Sequence, residues 1–224
     1  MIKTIIVISF IALFVLTVTS YILMKHFPAH KSVKYFFVFS LFFFVGQVLV
    51  SMRNIVPDFL SIIVGSNLQI SGYLFLYLAV RGLMGIDSKW YHRYFIPIIV
   101  VLMGFLFFTY VIYDTQVRII IFCLFCVLYS IIIAWVFWDY SSSRFIILNK
   151  FTAGLFFIFA IGLIVSAIKI YIIQIPANFL RTNETMIVSL YIYWIAVTMW
   201  LAVVFTLQIS LSYHGSIDNK SSKN

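Results

Sequence analysis

The chain of 224 residues is 64% hydrophobic and 20% aromatic, with only 9% charged residues. Soluble domains carry about 25% charged residues, so this composition excludes one and places the chain in a bilayer. Its net charge of +9 would point a soluble protein towards nucleic acid. Here the basic residues sit at the ends of apolar runs and act as topology signals, so no nucleic-acid partner is expected.

A spanning helix needs about 20 apolar residues. Seven such runs fill the sequence, near 5–24, 35–52, 59–80, 94–113, 117–138, 151–173 and 186–211. The first continues for about 21 residues after Lys3, longer than the ~7 to 15 residues of a secretory signal core. No small-x-small cleavage site follows it, so it is expected to be retained as a helix. Connections are short, which makes successive helices antiparallel neighbours and leaves no loop large enough to fold alone. The expected fold is all-α: a polytopic membrane bundle of seven transmembrane helices over residues 1–213, then a disordered, serine-rich cytoplasmic tail at 214–224.

Orientation follows from the Lys and Arg of alternate loops. One side carries Lys25, Lys31, Lys34, Arg81, Lys89, Arg93, Arg144, Lys150, Lys220 and Lys223; the other carries Lys3, Arg53, Arg118 and Arg181. That bias puts the C-terminus in the cytoplasm and, after seven crossings, the N-terminus outside.

The third run is the most polar. Ser61, Ser66, Asn67, Gln69, Ser71 and Tyr73 lie in it with Gly65 and Gly72. An unpartnered polar group in hydrocarbon costs several kcal/mol, so this helix is expected to face protein. Ser66, Gln69, Tyr73 and Tyr77 recur at helical spacing and share one face. Pro97 falls in the first turn of the fourth helix, where proline is tolerated. Cys123 and Cys126 form a C-x-x-C inside the fifth run, where hydrocarbon denies thiolate access, so they read as structural. Pro176, before Ala177 and Asn178, is expected to end the sixth helix.

Catalytic chemistry is not written in these runs. Intramembrane ionisable residues are costly and tend to be functional. All six acids, Asp58, Asp87, Asp114, Asp139, Glu184 and Asp218, fall at helix ends or in the tail, so no carboxylate pair is available for acid and base work. No nucleophile-elbow, zinc-protease, phosphate-loop or dinucleotide motif is present. No enzyme activity, catalytic residue or cofactor is expected. His26, His30 and His92 lie on one side but among lysines and arginines, which disfavour a cation, so no metal site is expected either. Lys169 is expected to be the one intramembrane base, roughly 27 Å along its helix, where it can snorkel to the headgroups, whereas Arg118 falls in the first turn of its run.

A cluster emerges at the outer rim, where Arg53, Asn54, Asp58, Asn67, Tyr110, Asp114, Arg118, Lys169, Gln174, Asn178, Arg181 and Glu184 all map. Arg118 stands in the first turn of its helix, where the dipole disfavours a cation by roughly 0.3–1 kcal/mol, so Asp114 is its expected partner. Asp58, after Pro57, is expected to cap the third helix and to pair with Arg53. Arg53, Asp58, Asn67, Tyr110, Arg118 and Lys169 are the candidate ligand-binding residues, for a small anionic or polar molecule entering from outside. The alternative reading is interfacial charge plus helix-packing polarity. Trp90, Trp138, Tyr35, Tyr91, Tyr94 and Tyr140 gather near the cytoplasmic boundary and read as an interfacial belt.

The run Met52-Arg53-Asn54-Ile55-Val56-Pro57-Asp58-Phe59-Leu60-Ser61-Ile62, with Asn67, Gly72-Tyr73, Arg81 and Gly85, resembles the N-terminal membrane region of bacterial GGDEF-type diguanylate cyclases. The stretch from Tyr110 to Arg118 is similar as well, and the likeness covers roughly 35–138. Phe59 and Ala79 stand where that family commonly has Trp and Gly. The resemblance implies a seven-helix sensory module of the bacterial inner membrane that passes a stimulus to a cytoplasmic output domain. No Gly-Gly-Asp-Glu-Phe motif is present in this sequence, so the chain itself is not expected to make cyclic di-GMP. It reads either as the membrane portion of a longer product or as a stand-alone relative that signals through a cytoplasmic partner, with a homodimer as the candidate assembly. Two rival readings remain open: a small-molecule transporter, and a structural subunit of a membrane complex.

Overall fold

Apolar sequence with no water to satisfy its backbone must close its hydrogen bonds within each segment, and the helix does this. The computed structural model describes residues 2–52, 55–86, 96–140, 145–173, 193 and 195–211. The helices are α1 (Ile2–His26), α2 (Lys31–Ser51), α3 (Gly65–Leu83), α4 (Ile96–Tyr110), α5 (Thr115–Asp139), α6 (Ile146–Ile173) and α7 (Ile195–Leu211). A π-helical stretch, Phe59–Val64, runs directly into α3. Among the described residues five helices are long and apolar enough to cross a membrane: α1, α2, α3 with its π-helical start, α5 and α6. The fourth and seventh runs give the shorter apolar helices α4 and α7, and 94–95, 186–192 and 194 lie outside the described residues.

Side-chain pairs fix the directions. Between α1 and α2, Ser20 bonds Ser40 at 2.7 Å, and the rings of Tyr21 and Phe14 meet those of Phe37 and Phe44. The order reverses along the two helices, so they are antiparallel. The same holds for α2 and α3, where Gly46 meets Gln69, Phe43 meets Tyr73 and Ser32 meets Gly82. Helices α3 and α5 run parallel, with Tyr73 beside Cys126 and Tyr77 edge-on to Tyr129. Helix α7 lies antiparallel to α6, through Trp200 with Thr152 and Gln208 with Asn149, and stacks Phe205 on Phe36 of α2 at 4.0 Å.

The third apolar segment is central, as its polar content predicts. Of its most apolar window 56% is buried, against 33% for α1. Lipid tails are as apolar as leucine, so the bundle is held by close packing and interhelical polar bonds rather than by hydrophobic transfer. Gly46 supplies the closest backbone approach: a Cβ there would stand 2.7 Å from the Gly65 carbonyl oxygen. Beside it the Gln69 amide donates to Gln47 Oε1 at 2.9 Å, with both side chains buried. Gln69, Tyr73 and Tyr77 are all buried and Ser66 is half-buried, so the predicted shared face is the inward one. Cys123 and Cys126 are buried free thiols on α5.

Candidate functional site

The site is built at the end of the bundle where α3 begins, α4 ends and α5 begins. After Pro57 the chain coils at once: Asp58 already has helical φ and ψ of −56° and −32°, and the Pro57 carbonyl accepts from both Leu60 and Ser61. The expected carboxylate cap is therefore not made. Asp58 lies inside the first turn and is exposed, and the capping position falls to a proline with no side-chain acceptor. Its expected partner Arg53 lies outside the described residues, as does Asn54.

The π-helical stretch inserts a wider turn, a feature that recurs at functional sites. A groove of about 370 Å³ opens along it, lined by Phe59, Ile63, Val64, Asn67, Leu68 and Ser71 on one side and by Leu102 and Leu106 of α4 on the other. That volume lies within the ~300–1,000 Å³ of small-molecule sites. Its wall is apolar except for Asn67 and Ser71. The Asn67 amide nitrogen donates to the Ile63 carbonyl at 2.8 Å, while its Oδ1 is buried with no partner.

Beyond Leu106 towards the same end, α4 closes in a tight turn. Val111 and Ile112 both donate to the Phe107 carbonyl, and Asp114 donates to that of Phe108. This stops α4 at Tyr110, three residues short of the expected 113. Asp114 then caps α5, its carboxylate accepting from the Val117 amide at 3.0 Å.

Arg118 departs from expectation. Its partner is not the Asp114 carboxylate, whose Oδ1 accepts from the Val117 amide. The guanidinium instead donates to the hydroxyls of Thr109 at 3.0 Å and Thr115 at 2.8 Å, and lies 4.9 Å from the centre of the Tyr113 ring. It is only 3% exposed. A cation is thus buried against neutral hydroxyls and an aromatic face, with no described carboxylate in ion-pair contact.

The remaining candidates are scattered around this end. Tyr110 is 60% exposed at the close of α4, and Lys169 is exposed near the far end of α6. Gln174, Asn178, Arg181 and Glu184 lie outside the described residues, with Pro176. At the opposite end, His26 bonds the Ile22 carbonyl and His30 meets the ring of Phe27, while His92 is outside the described residues. Trp138 and Tyr140 are exposed at the end of α5, with the Lys150 ammonium 5.4 Å from the Trp138 ring.

One polar cluster was not anticipated from the sequence. Gln208 of α7 donates to Asn149 of α6, which in turn donates to the Met84 sulfur just after α3. Gln208 and Asn149 are both buried. The only signal in the sequence was Gln208 inside the seventh apolar run and Asn149 two residues before the predicted start of the sixth. No family model, curated protein or solved structure matches this chain.

Proposed function

We propose that this chain is an integral membrane sensory or regulatory module of the bacterial inner membrane, with its N-terminus outside and its ligand site in the groove between α3 and α4. The ligand is an amphipathic small molecule drawn from the lipid phase. The observation that carries this reading is the groove itself, an apolar wall broken only by Asn67 and Ser71, placed on the π-helical start of the central helix.

That placement supports signalling because α3 touches α2, α4 and α5. A π-helical turn differs from an α-helical one by one residue of register, so a ligand that favours one register biases a two-state element. A shift there would be felt at the other end of α3, where Met84 meets Asn149 of α6. The resemblance of 52–62, Asn67 and Gly72-Tyr73 to cyclase input regions points the same way, and makes a cytoplasmic output domain or partner the recipient.

The test is thermal unfolding of the purified chain with single-chain amphiphiles, in the wild type and in Leu102→Trp, which fills the groove. Stabilisation of the wild type that is lost in Leu102→Trp is expected. Equal stabilisation of both proteins, or none of either, would remove the groove as a ligand site.

A further inference from the structure

Asn67 and Ser71 set the polar group that the groove's ligand must carry. They are the two polar residues of its wall and stand four apart on α3, so they share one face. The Asn67 amide nitrogen donates to the Ile63 carbonyl at 2.8 Å, which fixes the orientation of the amide, because the reverse would set oxygen against oxygen. Oδ1 is therefore the end left over, and it is buried with no partner. A buried acceptor without a donor is destabilising, and hydrocarbon holds no water to supply one.

Ser71 shows how a ligand comes within reach. Its hydroxyl makes no hydrogen bond among the described residues, yet its oxygen is not one of the buried atoms that lack a partner, and the residue is half-buried. That hydroxyl is open to the groove it lines and can donate or accept. Oδ1 itself is covered, and a group held at Ser71 meets it through a small turn of the half-buried Asn67 side chain.

Depth decides what can meet them. At 1.5 Å per residue Asn67 lies roughly 13 Å and Ser71 roughly 20 Å along the helix from Asp58. The hydrocarbon core is about 30 Å thick, so both stand in the middle of the span. Between them and the Asp58 end the α3 side of the groove is apolar, formed by Phe59, Ile63 and Val64. This order is the reverse of a phospholipid or a fatty acid, whose charged head stays at the interface while the chain goes deep. An anion carried to this depth would lose its hydration and find the Asn67 acceptor, with no cation in the groove wall.

We infer that the groove takes a neutral, largely apolar molecule whose hydroxyl enters the bilayer interior, donating to Asn67 Oδ1 and exchanging a hydrogen bond with Ser71. This rests on the groove being the ligand site and adds the ligand's class. An aliphatic alcohol and a phenol share that chemistry, since each carries one O–H donor on an acceptor oxygen.

The experiment compares matched pairs that differ in the donor alone, using the full chain in neutral detergent with affinity read from thermal shift across a titration. Dodecanol is set against its methyl ether, and 4-octylphenol against 4-octylanisole, with laurate as the charged comparator. The expected result is binding roughly fivefold tighter for the hydroxyl member of at least one pair, the value of one neutral hydrogen bond, and laurate weaker than dodecanol. The pair that shows the preference identifies the source. Asn67→Leu should erase it, because the ether lacks only the proton that Oδ1 accepts, while Ser71→Ala should weaken both members and keep the preference. Equal affinity for alcohol and ether, with both lost in Leu102→Trp, would overturn the role of Asn67 and leave the groove standing. A preference that survives in folded Asn67→Leu, or laurate binding tighter than dodecanol, overturns it too. Absence of binding by every probe defeats the groove reading itself. If Asn67→Leu does not fold, the wild-type pairs and Ser71→Ala still decide.

Discussion

The Gln69 amide donates to Gln47 Oε1 at 2.9 Å across the α2–α3 contact, and both side chains are buried. In hydrocarbon neither amide has water to turn to, so the pair fixes the register of these helices as well as their adhesion. Interhelical side-chain bonds in membranes are worth about 0.5–2 kcal/mol. Gln69→Leu should lower stability by that amount, and Gln69→Glu, which places a carboxylate against the Gln47 amide, by more. Reversible unfolding in mixed micelles measures both, and a Gln69→Leu protein as stable as the wild type would dismiss the pair as a structural bond.

Close approach is the other half of this contact, and the glycines separate it from helix propensity. A Cβ at Gly46 would stand 2.7 Å from the Gly65 carbonyl oxygen and 2.8 Å from Gln69 Cγ, whereas one at Gly154 meets nothing within 4 Å. Gly46→Ala must push the α2 and α3 backbones apart and should cost about 1–3 kcal/mol. Gly154→Ala meets no obstacle and should be neutral or stabilising by up to about 1 kcal/mol. Opposite signs in the same unfolding assay are the expected outcome; equal effects would mean that α2 and α3 are not this close.

Asp114 and Arg118 invite an ion-pair reading that the geometry replaces. The carboxylate caps the Val117 amide and the guanidinium goes to Thr109 and Thr115. Asp114→Asn preserves an acceptor and should be nearly silent, while Asp114→Ala should cost about 0.5–2 kcal/mol as a lost cap. In double-mutant cycles Thr109→Val should couple to Arg118→Lys and Asp114→Asn should not. Strong Asp114–Arg118 coupling would restore the ion pair.

The periodic features of this structure were legible in the sequence, and the features that depend on choosing between partners were not. Apolar run length placed α1, α2, α3, α5 and α6, and the spacing of Gln69, Tyr73 and Tyr77 found the inward face of α3, because both signals are local. Gln47 as the partner of Gln69 could not be read, since nothing local distinguishes it from any other amide 20 or so residues away. The Arg118 expectation failed for a related reason: charge proximity favours Asp114, but the fold sets the carboxylate at the Val117 amide and the guanidinium between the hydroxyls of Thr109 and Thr115. Asp58 failed as a cap because the helix starts one residue earlier than its pattern implies. Shortening of α4 came from turn bonding at Phe107 and Phe108, which apolar periodicity does not register.

Orientation rests on the basic-residue bias alone and yields a direct prediction. The antiparallel pairings put the α1–α2 turn and the α4–α5 turn at opposite ends of the bundle. Ala29 and Ile112 are exposed in these turns, and the native Cys123 and Cys126 are buried, so background reaction with a thiol reagent is low. In intact cells stripped of any outer barrier, a membrane-impermeant maleimide should label Ile112→Cys at once and Ala29→Cys only after permeabilisation. The reverse pattern would invert the orientation, and with it move the groove and Arg118 to the cytoplasmic leaflet. Labelling of both from the same side would contradict the antiparallel arrangement itself, because that arrangement places the two turns at opposite ends of the bundle. The ligand proposal depends on this result for its source alone: the groove would then draw on the inner leaflet rather than the outer one.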